Sequence, residues 1–267
     1  MKRESIGHTF LVAILLCLFC SFLVSAAAVG LRDIQQANKE RERKRNILVV
    51  AGLFTDGKTS ADDIESIYDK NVIAILVDLN QGTVVDASEI DGLTMPYDQR
   101  RASSDATLSA PLDRSDDIAS LIRREKYSAV YLVEKPDGSQ LIVLPIRGYG
   151  LWSTLWGFLA LDGDGNTIRG LTYYDHAETP GLGGEVDNPD WKAKWQGKLA
   201  FDADGKVSIQ VIKGTVLPND PEKDFKVDGL AGATITSRGV SNMLEFWLGA
   251  NGFGPYLKWR AEGGGDD

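Results

Sequence analysis

The chain has 267 residues, 43% of them apolar and 25% charged, enough to bury a core in one or two domains. Its net charge of -9 argues against a nucleic-acid partner, which would require basic stripes against phosphate.

Phe10 to Val29 holds no charge, and Ser21 and Ser25 are its polar residues. At about 1.5 Å per residue such a run spans a hydrocarbon core of roughly 30 Å. Lys2 and Arg3 precede it. Two readings stand: a retained transmembrane anchor, or a signal peptide cut near Ala26-Ala27-Ala28. The length of the run favours the anchor. Cys17 and Cys20 lie inside it, and two thiols alone do not complete a four-thiolate cluster. They read as small apolar residues in lipid or at a helix contact. Beyond the run come Arg32, Lys39, Arg41, Arg43, Lys44 and Arg45, mixed with Asp33, Glu40 and Glu42. The cations alone would keep the following domain in the cytoplasm, but long domains translocate despite flanking charge.

The organisation expected is an anchor over 1–35, then a helical stalk and the N-terminal part of a soluble domain over 36–126. A ligand-binding domain follows over 127–256, and a flexible tail over 257–267. Ala37 to Arg45 reads as a helical stalk. Ser60 and Asp63 resemble a capping box, with Ile64, Ile67 and Tyr68 following at helical spacing. Asp86 to Asp113 reads mostly as loop, and Ser115 to Arg124 as a short helix with Ile118, Leu121 and Ile122 on one face.

From Tyr127 the pattern turns to strands. Three hairpins are predicted: 127–134 with 140–145 around Pro136-Asp137-Gly138, 157–161 with 167–174, and 198–202 with 206–212. Helices over 190–195 and 237–248 can cover one face. The fold class is α+β: an N-terminal transmembrane helix, then a soluble domain of antiparallel sheet and flanking helices. Asp162, Asp164 and Asn166 have calcium-loop spacing, but Thr167 stands where an EF-hand needs glycine, so a hairpin turn is the better reading.

Two runs carry the chemistry. The first is His176-Ala177-Glu178-Thr179-Pro180-Gly181-Leu182-Gly183-Gly184-Glu185. Its glycines allow close approach to a flat ligand, and Glu178 and Thr179 offer an acceptor and a hydroxyl. It lacks the Gly-Lys-Ser/Thr ending of a phosphate loop. The second is Asp228-Gly229-Leu230-Ala231-Gly232-Ala233-Thr234-Ile235-Thr236-Ser237. Small residues crowd Thr234, and a helix follows, so an anion at Thr234 would meet free N–H groups and the positive dipole end. A threonine hydroxyl is a weak nucleophile, and nothing adjacent in sequence activates it.

The second run resembles the Asp-x-x-(Ser/Thr)-Gly-Ala-Thr signature of proteins that carry FMN through a phosphoester on the last threonine, with Ala231 as its one departure. Together with Pro145 to Ser153 and Glu178 to Gly183, it occurs in the order found in the C subunits of sodium-translocating NADH:quinone oxidoreductases. The resemblance covers the chain from the apolar run to about Tyr256. It implies a single-pass inner-membrane protein with its domain in the periplasm and FMN esterified to Thr234 by a separate flavin transferase. It further implies partners in the A, B, D, E and F subunits, and a one-electron relay between a membrane iron–sulfur centre and the flavin of the B subunit. Asp228, Gly232 and Ala233 belong to the attachment turn. Leu151, Trp152, Ser153, Glu178, Thr179, Leu182 and Gly183 are expected around the flavin. Arg147 or Lys213 could balance its charge, although each reads first as a surface charge. Taken one at a time, Trp152, Trp156, Trp191, Trp195 and Trp247 read as core before they read as flavin contacts. No general base and no metal ligand are assigned, and the apolar run has no carboxylate for an ion site. The G subunit of an Rnf-type electron-transport complex and a cofactor-free tethered sensing or assembly module are the alternatives.

Overall fold

A computed structural model describes residues 6–264 apart from residues 56, 58 and 94. The chain divides into two units, residues 1–43 and 44–267. In the first, helix α1 (Ile6–Gly30) is exposed along its whole length and is long and apolar enough to cross a membrane. Its 25 residues measure about 37 Å, more than the roughly 30 Å of a hydrocarbon core. Helix α2 (Arg32–Val50) begins in this unit and ends in the second, polar through the expected stalk, with its buried residues, Asn46, Ile47, Leu48 and Val50, at its end.

The second unit is built on one sheet. Its elements in chain order are α3 (Ile64–Asn71), β1 (Val72–Asp78), β2 (Thr83–Val85), α4 (Gln99–Ser104), β3 (Ser109–Pro111) and β4 (Arg123–Glu125). Then come β5 (Tyr127–Glu134), β6 (Gln140–Tyr149), β7 (Thr154–Asp162), β8 (Ile168–Asp175), α5 (Pro189–Ala193), β9 (Gln210–Val211), β10 (Lys226–Val227), α6 (Thr234–Leu248) and α7 (Gly254–Ala261). Six strands form one antiparallel sheet in the order β2-β1-β5-β6-β7-β8. Both faces are covered. Val130, Leu132, Ile142, Leu144 and Leu159 pack with Val240, Met243, Leu244 and Trp247 of α6. Tyr131, Val133, Leu141, Val143 and Phe158 pack with Ile47, Val50, Tyr97 and Ala102 on the other side. Alternate residues therefore enter two cores, and β5 and β6 read as continuous apolar runs instead of alternating ones.

The first two hairpins are present, with β6 and β7 also paired. β1 pairs with β5 along its length, so part of 36–126 belongs to the same sheet as 127–175. The third hairpin is not a ladder: one bridge, Phe201 to Val207, joins its arms, and β9 pairs in parallel with β10. Its first arm is drawn to the 162–167 turn, where the Asn166 carbonyl accepts from Ala200 N and the Asn166 side chain from Phe201 N. That turn also consumes its own carboxylates, Asp164 on Asn166 N and Thr167 N, and Asp162 on Arg169.

Residues 115–124 do not form a helix. The Asp117 carboxylate accepts from Leu121 N at 2.6 Å and Ile122 N at 2.8 Å, and Ser120 and Ile122 adopt φ of 55° and 68°. A side chain that supplies the backbone's partners competes with the helix. Ser60 does cap a turn, accepting from Asp62 N, but Asp63 closes no capping box. Within the expected loop, Asp98 caps α4 by accepting from Arg100 N and Arg101 N. The tail expected from residue 257 begins inside α7, where Tyr256 and Leu257 are buried.

α6 is the element that matters for function. It begins at Thr234, three residues before the expected start. Gly239 lets its first turns press on the end of β6: a Cβ there would stand 2.4 Å from the Tyr149 carbonyl oxygen. Trp247 anchors the far end, donating Nε1–H to the Arg147 carbonyl at 2.7 Å.

Candidate functional site

Thr234 is the first residue of α6, and its hydroxyl is exposed with no partner among the described residues. The residue before it, Ala233, is buried and has no side chain to cap the helix. The N–H groups of Thr234, Ile235 and Thr236 have no carbonyl within the helix to meet. Gly232 turns the chain with φ 72°, and a Cβ there would come 2.9 Å from a Leu182 methyl. Thus the turn before Thr234 and the glycine-rich run lie against each other.

The 150–153 loop joins them through Glu178. Its Oε1 accepts from Leu151 N at 3.0 Å, Trp152 N at 2.9 Å and Ser153 N at 3.2 Å. Its Oε2 accepts from the Thr236 hydroxyl at 2.7 Å. Burial pushes the Glu178 pKa up, but the bonds from Thr236 and the Trp152, Leu151 and Ser153 amides outweigh it and hold the carboxyl below its ordinary value. Glu178 is therefore held as an anion by four donors of the protein itself.

The remaining expected residues divide by role. Leu151, Trp152 and Leu182 are 39%, 65% and 44% exposed, an apolar surface that the core does not use. Ile235, 56% exposed beside Thr234, was not expected there; an apolar residue in the first turn of an amphipathic helix was its only signal. Thr179 is exposed, while its carbonyl accepts from Leu182 N and Gly184 N and shapes the turn. Ser153 Oγ accepts from Ala177 N at 2.7 Å. Gly183 is buried against Glu178 and Thr236.

Asp228 faces the scaffold. Its carboxylate takes Lys194 at 2.6 Å and Val216 N at 2.8 Å, and its carbonyl accepts from Trp191 Nε1. Burial raises its pKa, while the Lys194 ammonium and the Val216 N–H outweigh that and keep it low. His176 accepts from Glu178 N through Nδ1, so Nε2 carries the proton given to Asp187 at 2.7 Å. Arg147 is neither a surface charge nor available to a phosphate. It is buried in a two-bond pair with the fully buried Glu125, at 2.9 and 2.7 Å. Lys213 is exposed. Among the tryptophans, Trp191, Trp195 and Trp247 are core, Trp156 is half-buried beneath Arg100, and Trp152 projects from the surface.

The family model of the FMN-binding domain matches residues 150–249, the span from the exposed loop to the end of α6. The C subunit of the Na(+)-translocating NADH-quinone reductase of Pseudomonas aeruginosa is 49% identical over 256 residues, 96% of each chain. Its counterpart from Vibrio parahaemolyticus is 43% identical over 263 residues, 98% of each. A crystal structure of Shewanella oneidensis NqrC superposes with a TM-score of 0.73 at 34% identity, covering 83% of this chain and 97% of that one. With the apolar helix, the antiparallel sheet and the Thr234 turn in place, the chain belongs to the family of Na(+)-translocating NADH-quinone reductase C subunits.

Proposed function

We propose that the chain is the membrane-anchored, FMN-carrying electron-transfer component of a sodium-translocating NADH:quinone reductase. In this reading α1 is the anchor, the folded unit stands in the periplasm, and FMN is held through a phosphoester on Thr234. The observation that carries the reading is the exposed Thr234 hydroxyl, without a partner among the described residues, at the start of a 15-residue helix whose N-cap Ala233 offers no side-chain bond. A phosphate on that oxygen would receive the first-turn N–H groups and the positive end of the dipole. Gly232 lets the turn close against Leu182, where a Cβ would stand 2.9 Å from a methyl, and Leu151, Trp152, Leu182 and Ile235 supply apolar surface for a flat ring system.

FMN, when bound, supplies reversible electron transfer, here between a membrane iron–sulfur centre and the flavin of the B subunit. The chain's own residues hold and orient. The apolar side chains would exclude water from the ring, and the exposed Thr179 could offer it a hydroxyl. Among the described residues no base contacts Thr234, so esterification needs a transferase that removes the hydroxyl proton and brings an activated flavin phosphate with its own leaving group. The A, B, D, E and F subunits are the expected partners.

The test is the full chain produced with and without a flavin transferase. Flavin fluorescence retained on a denaturing gel, with a mass gain of one FMN residue mapped to Thr234, is expected only with the transferase. A bare Thr234 peptide under those conditions would refute the reading. Protease added to spheroplasts should digest the domain; a protected domain would overturn its periplasmic placement.

A further inference from the structure

We infer that Glu178 is a positioning residue: its carboxylate latches the 150–153 loop to the first turn of α6, so that the apolar surface and Thr234 are presented as one unit. Three consecutive amides meet one oxygen at 2.9–3.2 Å, and the Thr236 hydroxyl meets the other at 2.7 Å. The residue is 5% exposed, and among the described residues no lysine or arginine pairs with it. Four donors alone balance a buried anion, and bonds to an ionised acceptor are roughly twice as strong as neutral ones. Room for this arrangement comes from two glycines. A Cβ at Gly150 would lie 2.7 Å from Oε1, and a Cβ at Gly183 would lie 2.5 Å from Oε2 and 2.7 Å from Thr236 Oγ1.

The joined parts are distant in sequence. Residues 151–153 bear the exposed Leu151 and Trp152, and Thr236 lies two positions after the proposed acceptor. The hydrogen bond to Thr236 holds the turn in which Thr234 and its neighbouring N–H groups sit. Without it the helix start and the apolar surface would be joined by packing at Gly239 and no longer by this bond, and the acceptor would spend less time in the geometry that a bound flavin phosphate requires. The latch stands on the bonds alone; its consequence for flavin loading rests on the function proposed above.

The experiment uses the full chain in detergent, produced with and without the transferase, as Glu178→Ala and Glu178→Gln. Hydrogen exchange on flavin-free protein reads the latch directly. In Glu178→Ala the amides of 151–153 should exchange about tenfold faster or more, while those of β5 and β6 stay as slow as in the parent. Flavin loading per folded molecule should fall about fivefold or more, on the same bond-loss reasoning. Glu178→Gln keeps an oxygen for the three amides and should restore both readouts to within about twofold. Unchanged exchange in Glu178→Ala, parental loading despite faster exchange, or a Gln variant as deficient as Ala would each overturn the proposal. If Glu178→Ala does not fold, Thr236→Val cuts only the second oxygen's bond. It should lose loading and keep 151–153 protected, and parental loading would overturn the coupling. Failure of the flavin reading is separate: it shows as an unmodified parent chain, whereas the exchange arm needs no flavin.

Discussion

Replacing Thr234 with alanine separates the chemistry of the turn from its stability. Thr234 contributes no cap, because the capping position is Ala233, and its hydroxyl is exposed and unpartnered among the described residues. The cap penalty of about 1 kcal/mol therefore does not apply. Alanine is the better helix former by up to roughly 0.7 kcal/mol, and exposed substitutions stay within about 0.5 kcal/mol. For a unit of this size that is a shift of about 1–2 °C in Tm, in either direction. Both chains should be melted flavin-free, because a bound cofactor adds stability of its own. Coproduced with the transferase, Thr234→Ala should show only background fluorescence on a denaturing gel, and Thr234→Ser should retain the label. Fluorescence persisting in Thr234→Ala would place the bond elsewhere. A fall in Tm beyond about 4 °C would show that the hydroxyl is structural.

Three further outcomes follow from the scaffold. Glu125→Ala leaves the Arg147 guanidinium buried without its carboxylate, and should cost about 3–5 kcal/mol, read as a lower urea midpoint at constant m. Gly239→Ala places a methyl 2.4 Å from the Tyr149 carbonyl oxygen, where backbone cannot yield; α6 must shift, lowering stability by about 1–3 kcal/mol and reducing flavin loading. Glu178 has a folded pKa below its ordinary value of 4.5, so it binds protons more weakly folded than unfolded. Its contribution is present above the unfolded value and is lost as pH falls through the lower folded value. Acid unfolding of Glu178→Gln should therefore show a shallower loss of stability below that ordinary value, and an unchanged slope would count against an ionised Glu178.

Much of this protein is legible locally. The apolar run of α1 needs no partner to be recognised, since length and absence of charge suffice. The β5-β6 and β7-β8 hairpins declare themselves through short turns between apolar runs, and the small-residue turn before α6 marks Thr234. β1 escapes such reading because Val72 to Asp78 alternates nowhere: its end enters two cores at once. The false helix at 115–124 has the right spacing, but one carboxylate, Asp117, redirects the amides.

The roles of charged residues were decided by tertiary structure alone. Glu178 reads in sequence as an acceptor for a ligand, yet its four donors come from residues 25 or more positions away in either direction. Arg147 reads as an available cation until β4 delivers Glu125 beneath it. Periodicity and turn chemistry are properties of neighbours along the chain, so composition and spacing locate the apolar helix, the first two hairpins and the small-residue turn before α6. What a buried charge does depends on which distant donors the packed sheet brings within about 3 Å, and no local pattern records that.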